Sequence, residues 1–340
     1  MVTGLAAVPA LALDEEEMPV PPLSLQGPVD ADGLSAASAV ADCQLAQSTI
    51  EDENYFPGLV IFDTCIDELR DVELQSHYLH FRGTLFERIG AHNRAIDDFS
   101  RAVKQQPENI SYAVSLGRAW LGREDNKLAM ALFRSTLRLA PHNADVLAGL
   151  GAAWLQSGET QRAIAFLQRA LEINPDHVPA LRDRGLASLY KGAAAPALAD
   201  FDRAIALAAP NSDLFLYRGM AQHRLDQRAA ALEDFNRAAD LDPTSPRVLV
   251  NRGALLAHLD RPEEAAADFT AAIDLNPGTA DAYYGRGLLG ARLAGTDEDL
   301  LDQARSDLKQ AITLDPDNPQ LDAAMVILQP VETKPVKRRY

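Results

Sequence analysis

The chain has 340 residues, 47% of them hydrophobic, and carries 49 acidic against 32 basic residues, for a net charge of −17. An acidic chain with no basic stripe between aromatic residues repels nucleic acid, so nucleic-acid binding is excluded. No apolar run approaches the roughly 20 residues of a membrane-spanning helix, so no membrane span is expected.

The first twelve residues resemble the later part of an export signal whose basic N-terminal region is missing. They are apolar, and Ala10-Leu11-Ala12 has the small-x-small form of a signal-peptidase site. No basic residue precedes this stretch, so a start further upstream would complete the signal. We expect residues 1–12 to be a truncated signal peptide and the protein to be periplasmic or secreted. The alternative is a chain without a signal, located in the cytoplasm.

Acidic residues are concentrated in the N-terminal part of the chain. Thirteen of them lie in residues 1–69, where Lys and Arg do not occur at all, and the rest of the chain is nearly neutral. Residues 13–35 are also rich in proline. Because such a segment buries too little apolar surface to fold, we predict a flexible acidic spacer there.

The two cysteines, Cys43 and Cys65, belong to a segment with two helical patterns, residues 36–47 and 57–70. Residues 36–75 are therefore predicted to form a degenerate helix pair that caps the rest of the chain. An exported location favours a disulfide between the cysteines, and a cytosolic location favours two buried thiols. We expect the disulfide together with export. A metal site lacks ligands here, and a catalytic cysteine lacks a placed histidine.

A 34-residue repeat begins at Ser76 and is marked by glycine at residue 8 of each unit. Residue 20 is always alanine, residue 24 is Phe or Leu, and a proline lies near the end of each unit. A fixed period of this length indicates a stack of similar helical units. The seven glycines are Gly83, Gly117, Gly151, Gly185, Gly219, Gly253 and Gly287.

Each unit contains the pattern of two helices. Residue 34 is a good N-cap in six of seven units, so a helix begins at residue 1 of the next unit. A turn rich in Gly, Asp and Glu then precedes a second helix, which runs to the proline. Small residues at 8, 20 and 27 allow the two helices to approach, and the bulky residue 24 fills the space between them. One unit cannot bury this surface alone, whereas stacked units can.

This set of small, aromatic and proline positions resembles the tetratricopeptide repeat (TPR) family over residues 76–318. The resemblance implies an all-α, right-handed superhelical solenoid of antiparallel helix pairs. The last unit departs from the pattern, with five extra residues around Gly295–Asp299. We expect a C-terminal cap helix at 319–329 and a basic tail at 330–340. The seven predicted units are 76–109, 110–143, 144–177, 178–211, 212–245, 246–279 and 280–318.

Residues 7 and 23 of the units vary together. Arginine at residue 7 occurs with aspartate at residue 23 in five units, and apolar residues occur at both places in the other two. We infer a partly shielded ion pair between the two helices of one unit. The alternative is a ladder of arginines that binds a ligand. The predicted pairs are Arg82 with Asp98, Arg184 with Asp200, Arg218 with Asp234, Arg252 with Asp268, and Arg286 with Asp307.

In TPR proteins the concave wall comes mainly from residues 2, 5, 9 and 12 of the units, so the resemblance implies a candidate groove. The clamp for acidic chaperone C-termini needs lysine at residue 5 and asparagine at residue 9, and neither occurs here. His77 and His80 have a spacing that suits a metal ion, but lining the groove is the favoured interpretation. The candidate groove residues are His77, His80, Thr84, Ser111, Arg118, Arg182, Leu186, Leu189, Leu216, Met220, His223, Arg247, Val250, Tyr284 and Leu288.

No phosphate-binding glycine loop, nucleophile elbow or paired metal motif is present, so we expect neither an enzyme nor a cofactor or metal site. The sequence favours a scaffold that binds a peptide or partner protein, of unknown identity, in the groove. The alternative is a structural, self-assembling protein that uses its ends or convex face. The apolar run Met325–Leu328 makes residues 319–329 a candidate for self-association. A catalytic domain lost with a misplaced start is a third hypothesis.

Overall fold

The computed structural model describes residues 31–50 and 55–317, and within these ranges it contains sixteen α-helices and no strand. The predicted all-α architecture of consecutive helix pairs is confirmed. The predicted signal peptide, C-terminal cap helix and basic tail lie outside the described residues. The helices are α1 Ala31–Ser48, α2 Phe56–Glu68, α3 Val72–Arg88, α4 His92–Gln105, α5 Ile110–Gly122, α6 Asn126–Leu139, α7 Ala144–Gln156, α8 Thr160–Ile173, α9 Val178–Tyr190, α10 Ala194–Leu207, α11 Ser212–Arg224, α12 Arg228–Leu241, α13 Pro246–His258, α14 Pro262–Leu275, α15 Ala280–Ala294 and α16 Glu298–Leu314.

The chain divides into two compact units within α9, between Asp183 and Arg184. Residues 31–183 are called here the N-terminal unit and residues 184–317 the C-terminal unit. From α3 onward, odd-numbered helices are the first helices of the repeats and even-numbered helices the second helices. Among the helices of the described residues, none combines the length and apolarity that a membrane crossing requires.

Side-chain caps fix where several first helices begin. Asn143 Oδ1 accepts a hydrogen bond from Val146 N at 3.0 Å, and Asn109 and Asn211 cap α5 and α11 in the same way. His177 performs the same task with its ring, because its Nδ1 accepts from Ala180 N at 3.1 Å. Each cap satisfies a main-chain N–H that has no partner within the helix.

The glycine at residue 8 is where the two helices of a repeat touch. A Cβ built on Gly83 would lie 2.5 Å from Phe99 Cε1, and one on Gly219 would lie 2.7 Å from Phe235 Cε1. Any larger residue would therefore push the second helix away. Phe133 is enclosed from both sides. Gly117 of its own repeat and Gly149 of the following repeat both lie against its ring.

The N-terminal helix pair is joined by a disulfide between Cys43 and Cys65, whose Cα atoms are 5.6 Å apart. Helix α1 begins at Ala31, so residues 31–35 of the predicted acidic spacer are helical, and residues 13–30 of it lie outside the described residues. Among its described side chains only Ala39, Cys43 and Ala46 are buried. Because these residues are small, the covalent bond supplements a modest apolar contact between α1 and α2.

Candidate functional site

The five arginines at residue 7 each contact the aspartate at residue 23 of their own repeat. Arg218 donates from Nε to Asp234 Oδ2 and from Nη2 to Asp234 Oδ1, both at 2.7 Å. Arg82 holds Asp98 at the same two distances. The other pairs, Arg184–Asp200, Arg252–Asp268 and Arg286–Asp307, have the same two-bond geometry.

These bonds occupy the Nε and Nη2 donors of the guanidinium groups, inside the repeats. The carboxylates are the more deeply buried partners, since the side chain of Asp234 is 5% exposed and that of Arg218 22% exposed. A buried carboxylate needs such a partner, because an unpaired charge in that position is costly. The pairs therefore act in the packing of each repeat.

The third guanidinium nitrogen, Nη1, of several of these arginines binds a residue of the preceding repeat. Arg218 Nη1 donates to Asp202 Oδ1 at 3.1 Å, and Arg286 Nη1 donates to Thr270 Oγ1 at 3.2 Å. Arg252 contacts Asn236 similarly, and Arg82 contacts Asp63 of α2. One side chain thus connects three helices. Sequence reasoning missed this contact because the acceptor residue changes between Asp, Asn and Thr.

The predicted groove residues divide into two groups. Ten are half-buried or exposed: His77, Thr84, Ser111, Arg118, Arg182, Met220, His223, Arg247, Tyr284 and Leu288. The prediction needs correction for the other five, which are buried: His80, Leu186, Leu189, Leu216 and Val250. The repeat frame gives the direction of a side chain from its own helix, but neighbouring helices cover several of these directions.

The predicted groove arginines already have intramolecular partners. Arg118 donates to Asp145 at 3.0 Å, and Arg182 donates to Asp183 at 2.8 Å. Arg247 donates from Nη2 to Tyr217 Oη at 3.1 Å, and its Nη1 is 3.7 Å from Asp213. These guanidinium groups are therefore held in place by the protein's own side chains.

In the N-terminal unit Asp145 lies between a guanidinium group and an imidazole ring. Its Oδ1 is 3.0 Å from Arg118 Nη2 and 3.2 Å from His177 Nε2. The hydrogen bond from His177 lowers the pKa of Asp145, and the charge of Arg118 contributes in the same direction. This carboxylate therefore links the first helices α5 and α7 to the cap of α9.

His80 is a buried, neutral histidine. Its Nε2 is 2.8 Å from Ser115 Oγ, and its ring packs against Phe99 and Tyr112 at centroid distances of 5.3 and 4.8 Å. Burial lowers the pKa of His80 to about 4, with a further contribution from His77. Within the described residues no group of three His, Cys, Asp or Glu side chains is arranged to hold a metal ion.

The first helices of the C-terminal unit form a continuous face, here called the first-helix face. Helix α11 contacts α13, and α13 contacts α15. At residue 9 of these repeats lie Met220, Ala254 and Leu288, all half-buried. Met220 rests on the core cluster around Phe235, and Ala254 rests on the cluster around Phe269. The result is an apolar strip on a packed base, partly open to solvent.

A row of cationic and imidazole side chains borders this strip at residue 13 of the same repeats: Arg224, His258 and Arg292. All three are exposed. The His258 ring lies 5.6 Å from the ring of His223, between centroids. Sequence reasoning missed the row because it considered only residues 2, 5, 9 and 12, although the same 34-residue interval marks it.

Comparison with known proteins identifies the repeats. Models described as tetratricopeptide repeat match residues 121–184, 82–144 and 251–319. No curated protein matches the chain in sequence.

Solved structures with the same fold include three with low sequence identity. The APC/C hetero-tetramer Cut9–Hcn1 is similar with a TM-score of 0.63 at 15% identity, over 88% of this chain and 56% of that one. PilF of Pseudomonas aeruginosa has a TM-score of 0.53 at 22% identity, over 64% and 96%. A tetratricopeptide repeat protein from Parabacteroides merdae has a TM-score of 0.52 at 20% identity, over 74% and 97%.

At these identities the structural likeness shows the fold alone, and the family models add the sequence pattern of the repeat. The helix pairs, the glycine–phenylalanine contacts within them and the matching family models agree. The chain belongs to the tetratricopeptide repeat family.

Proposed function

We propose that the chain binds a peptide, or an extended segment of a partner protein, on the first-helix face of the C-terminal unit. TPR proteins are generally non-enzymatic scaffolds for protein–protein interaction, and their stacked repeats present extended surfaces.

The observation that carries the proposal is the half-buried apolar strip of Met220, Ala254 and Leu288. Neighbouring apolar residues of the same helices, such as Leu216 and Val250, are buried, whereas the strip stays partly open. Adjacent first helices place the three side chains in a line, at intervals set by the repeat. An extended or helical peptide with apolar anchors fits such a line.

The test selects binders from a random peptide library displayed on phage, with the full-length chain as bait, and then measures affinities by fluorescence polarisation. Met220→Glu with Leu288→Glu places two charges in the strip and is expected to weaken binding at least about tenfold, since each apolar anchor contributes on the order of 1–2 kcal/mol. The matched control is Leu241→Glu with Leu275→Glu on the second helices. Unchanged affinity in the first variant contradicts the proposal.

A second candidate function has an observation of its own. The C-terminal unit exposes one leucine near the end of each second helix, with 45, 37, 44 and 36% exposure: Leu207, Leu241, Leu275 and Leu314. This row favours the alternative of a self-assembling protein that docks a second chain through its second helices. Light scattering tests it. A dimer that Leu241→Glu with Leu275→Glu dissociates supports assembly, and a monomer at all concentrations contradicts it.

The predicted export remains a proposal, and the Cys43–Cys65 bond supports it. Disulfides persist in oxidising compartments and are rare in the cytosol. The mobility of the natively expressed protein in reducing and non-reducing gels tests this proposal. Two titratable thiols in the native protein would contradict it.

A further inference from the structure

The cations at the border of the apolar strip carry a charge that the described residues do not balance. Arg292 Nη1 donates to the main-chain carbonyl of Ala257 at 3.0 Å, and Arg224 Nη1 donates to the carbonyl of Leu189. Within residues 31–50 and 55–317, neither guanidinium has a carboxylate within ion-pair distance. The arginines at residue 7 of the same repeats all have one.

The bonds to carbonyl groups explain where these side chains lie, but a carbonyl group is neutral and does not balance the charge of a guanidinium. Leu189 and Ala257 are at the C-terminal ends of first helices, where the helix dipole favours a cation. The carbonyl of Leu189 also accepts a hydrogen bond from Gly192 N at 2.9 Å. A neutral acceptor satisfies one donor of a guanidinium that has five. Although Arg224 is exposed, desolvation lowers its pKa, and the charge of Tyr190 acts in the opposite direction.

His258, the central member of the row, has a second histidine beside it, His223 of α11. His223 and His258 lie side by side at 5.6 Å, and Nδ1 of His223 is buried without a hydrogen-bond partner. Burial lowers the pKa of His223, and Asp226, which acts in the opposite direction, already accepts a hydrogen bond at its Oδ1 from Arg228 Nε at 2.7 Å. The exposed imidazole of His258 therefore adds an N–H donor to the two guanidinium groups of the row.

The apolar strip and the cationic row are adjacent because their residues lie one turn apart on the same helices. Residues 12 and 13 of a first helix lie one turn after residue 9. On α11 Met220 is therefore followed, one turn later, by His223 and Arg224. Leu288 stands in the same relation to Arg292 on α15. A segment lying on the strip would thus present its neighbouring side chains to the row.

We propose that the partner of the first-helix face is an acidic peptide segment, in which apolar residues occupy the strip and carboxylates beside them bind the arginines of the row, Arg224 on α11 and Arg292 on α15. This inference rests on the proposed function and specifies the chemistry of its ligand. Charge complementarity determines the choice, because residues 31–50 and 55–317 supply no carboxylate to Arg224 or Arg292 and an acidic peptide would do so. Guanidinium groups bind a carboxylate through two parallel bonds, so the row also specifies orientation.

The experiment compares peptides selected from the random phage library on the full-length chain. The expected result is an enrichment of Asp or Glu within a few residues of an apolar anchor. Arg224→Gln with Arg292→Gln is expected to weaken the recovered peptide about tenfold, the effect of two partly exposed charge pairs. Arg224→Lys with Arg292→Lys keeps the charges but loses the two parallel bonds, so it is expected to recover only part of the affinity that the glutamine variant loses.

A matched control removes two positive charges elsewhere. Arg237→Gln with Lys309→Gln changes exposed residues of second helices and should leave the affinity unchanged. Circular dichroism melting curves of all variants show whether the fold is retained. An equal loss of peptide affinity in the control variant would show that only the net charge of the protein matters, and it would overturn the assignment of the row.

The outcomes separate the two proposals. Peptides that bind the strip, shown by their loss with Met220→Glu and Leu288→Glu, but that contain no excess of acids overturn this inference and leave the proposed function standing. Peptides that are insensitive to the strip variant overturn both. A row covered by a second copy of the chain would appear as a dimer that Arg224→Gln with Arg292→Gln dissociates, and it too overturns the acidic-peptide assignment.

Discussion

Arg218 holds Asp234 through two parallel hydrogen bonds of 2.7 Å, and its third nitrogen reaches Asp202 of the preceding repeat at 3.1 Å. Removing the arginine alone would leave a nearly fully buried carboxylate without a partner. Removing both charges would leave an apolar contact of similar shape, which proteins tolerate well.

Arg218→Leu is therefore expected to destabilise the protein by about 2–3 kcal/mol, more than Arg218→Leu combined with Asp234→Leu. The chain itself provides precedents for the double change, because two repeats carry apolar residues at both places, Leu116 with Leu132 and Leu150 with Phe166. Urea unfolding of the two single variants and the double variant measures the coupling. Equal losses in the single and double variants would show that the pair contributes no coupling.

A second prediction concerns two glycines of α5 with opposite surroundings. A Cβ on Gly117 would overlap the ring of Phe133, whereas one on Gly122 would meet no atom within 4 Å. Gly117→Ala is expected to cost about 1–3 kcal/mol through overpacking. Gly122→Ala should be neutral or stabilising by up to about 1 kcal/mol, because alanine favours the helix. Thermal unfolding distinguishes them, and similar melting temperatures would contradict the close contact.

Reduction of the Cys43–Cys65 bond is expected to act locally. The bond closes a loop with a sequence separation of 22 residues, for which loop-closure entropy predicts a contribution of about 3 kcal/mol. Because repeat arrays are held by nearest-neighbour contacts, the loss should fall on α1 and α2 and not on distant helices. Hydrogen exchange with and without reductant measures this effect. The Cys43→Ser, Cys65→Ser variant should match the reduced protein, and unchanged protection of α1 would contradict the prediction.

The sequence predicts the architecture well because the repeat supplies its own comparison. A contact made in every unit leaves the same residues at the same interval, as for Gly219 with Phe235. The covariation of residues 7 and 23 indicates in the same way which arginine faces which aspartate. These features depend on two helices joined by a short turn, so the 34-residue frame contains all of their geometry.

The candidate site is predicted less well, since it depends on contacts between repeats. Leu216 and Val250 lie at positions that face the groove in relatives, yet both are buried, in the core clusters around Phe235 and Phe269. Arg224 and Arg292 lie outside those positions and were therefore missed. The sequence shows that both are basic and 68 residues apart, two repeat lengths. Only the structure shows that both side chains bind main-chain carbonyl groups and that no carboxylate of the described residues forms an ion pair with them.

The final prediction concerns acid stability and His80. Burial lowers the pKa of His80 from 6.5 to about 4. The folded state therefore disfavours the protonated ring, and the unfolded chain takes up the proton first as the pH falls. The stability that the neutral ring contributes is fully present above about pH 6.5, and it is lost between pH 6.5 and about pH 4 by about 1.4 kcal/mol per pH unit.

The groups around the ring support this direction. His77 opposes protonation, Phe99 and Tyr112 cover the ring, and Ser115 Oγ at 2.8 Å can donate to or accept from Nε2. Urea unfolding at pH 7 and pH 5 of the wild type and His80→Gln measures the contribution. Wild type should lose more stability than the variant over this interval. His142→Gln, at an exposed histidine, is the control and should follow wild type. A pH dependence that His80→Gln leaves unchanged would place the titrating group elsewhere.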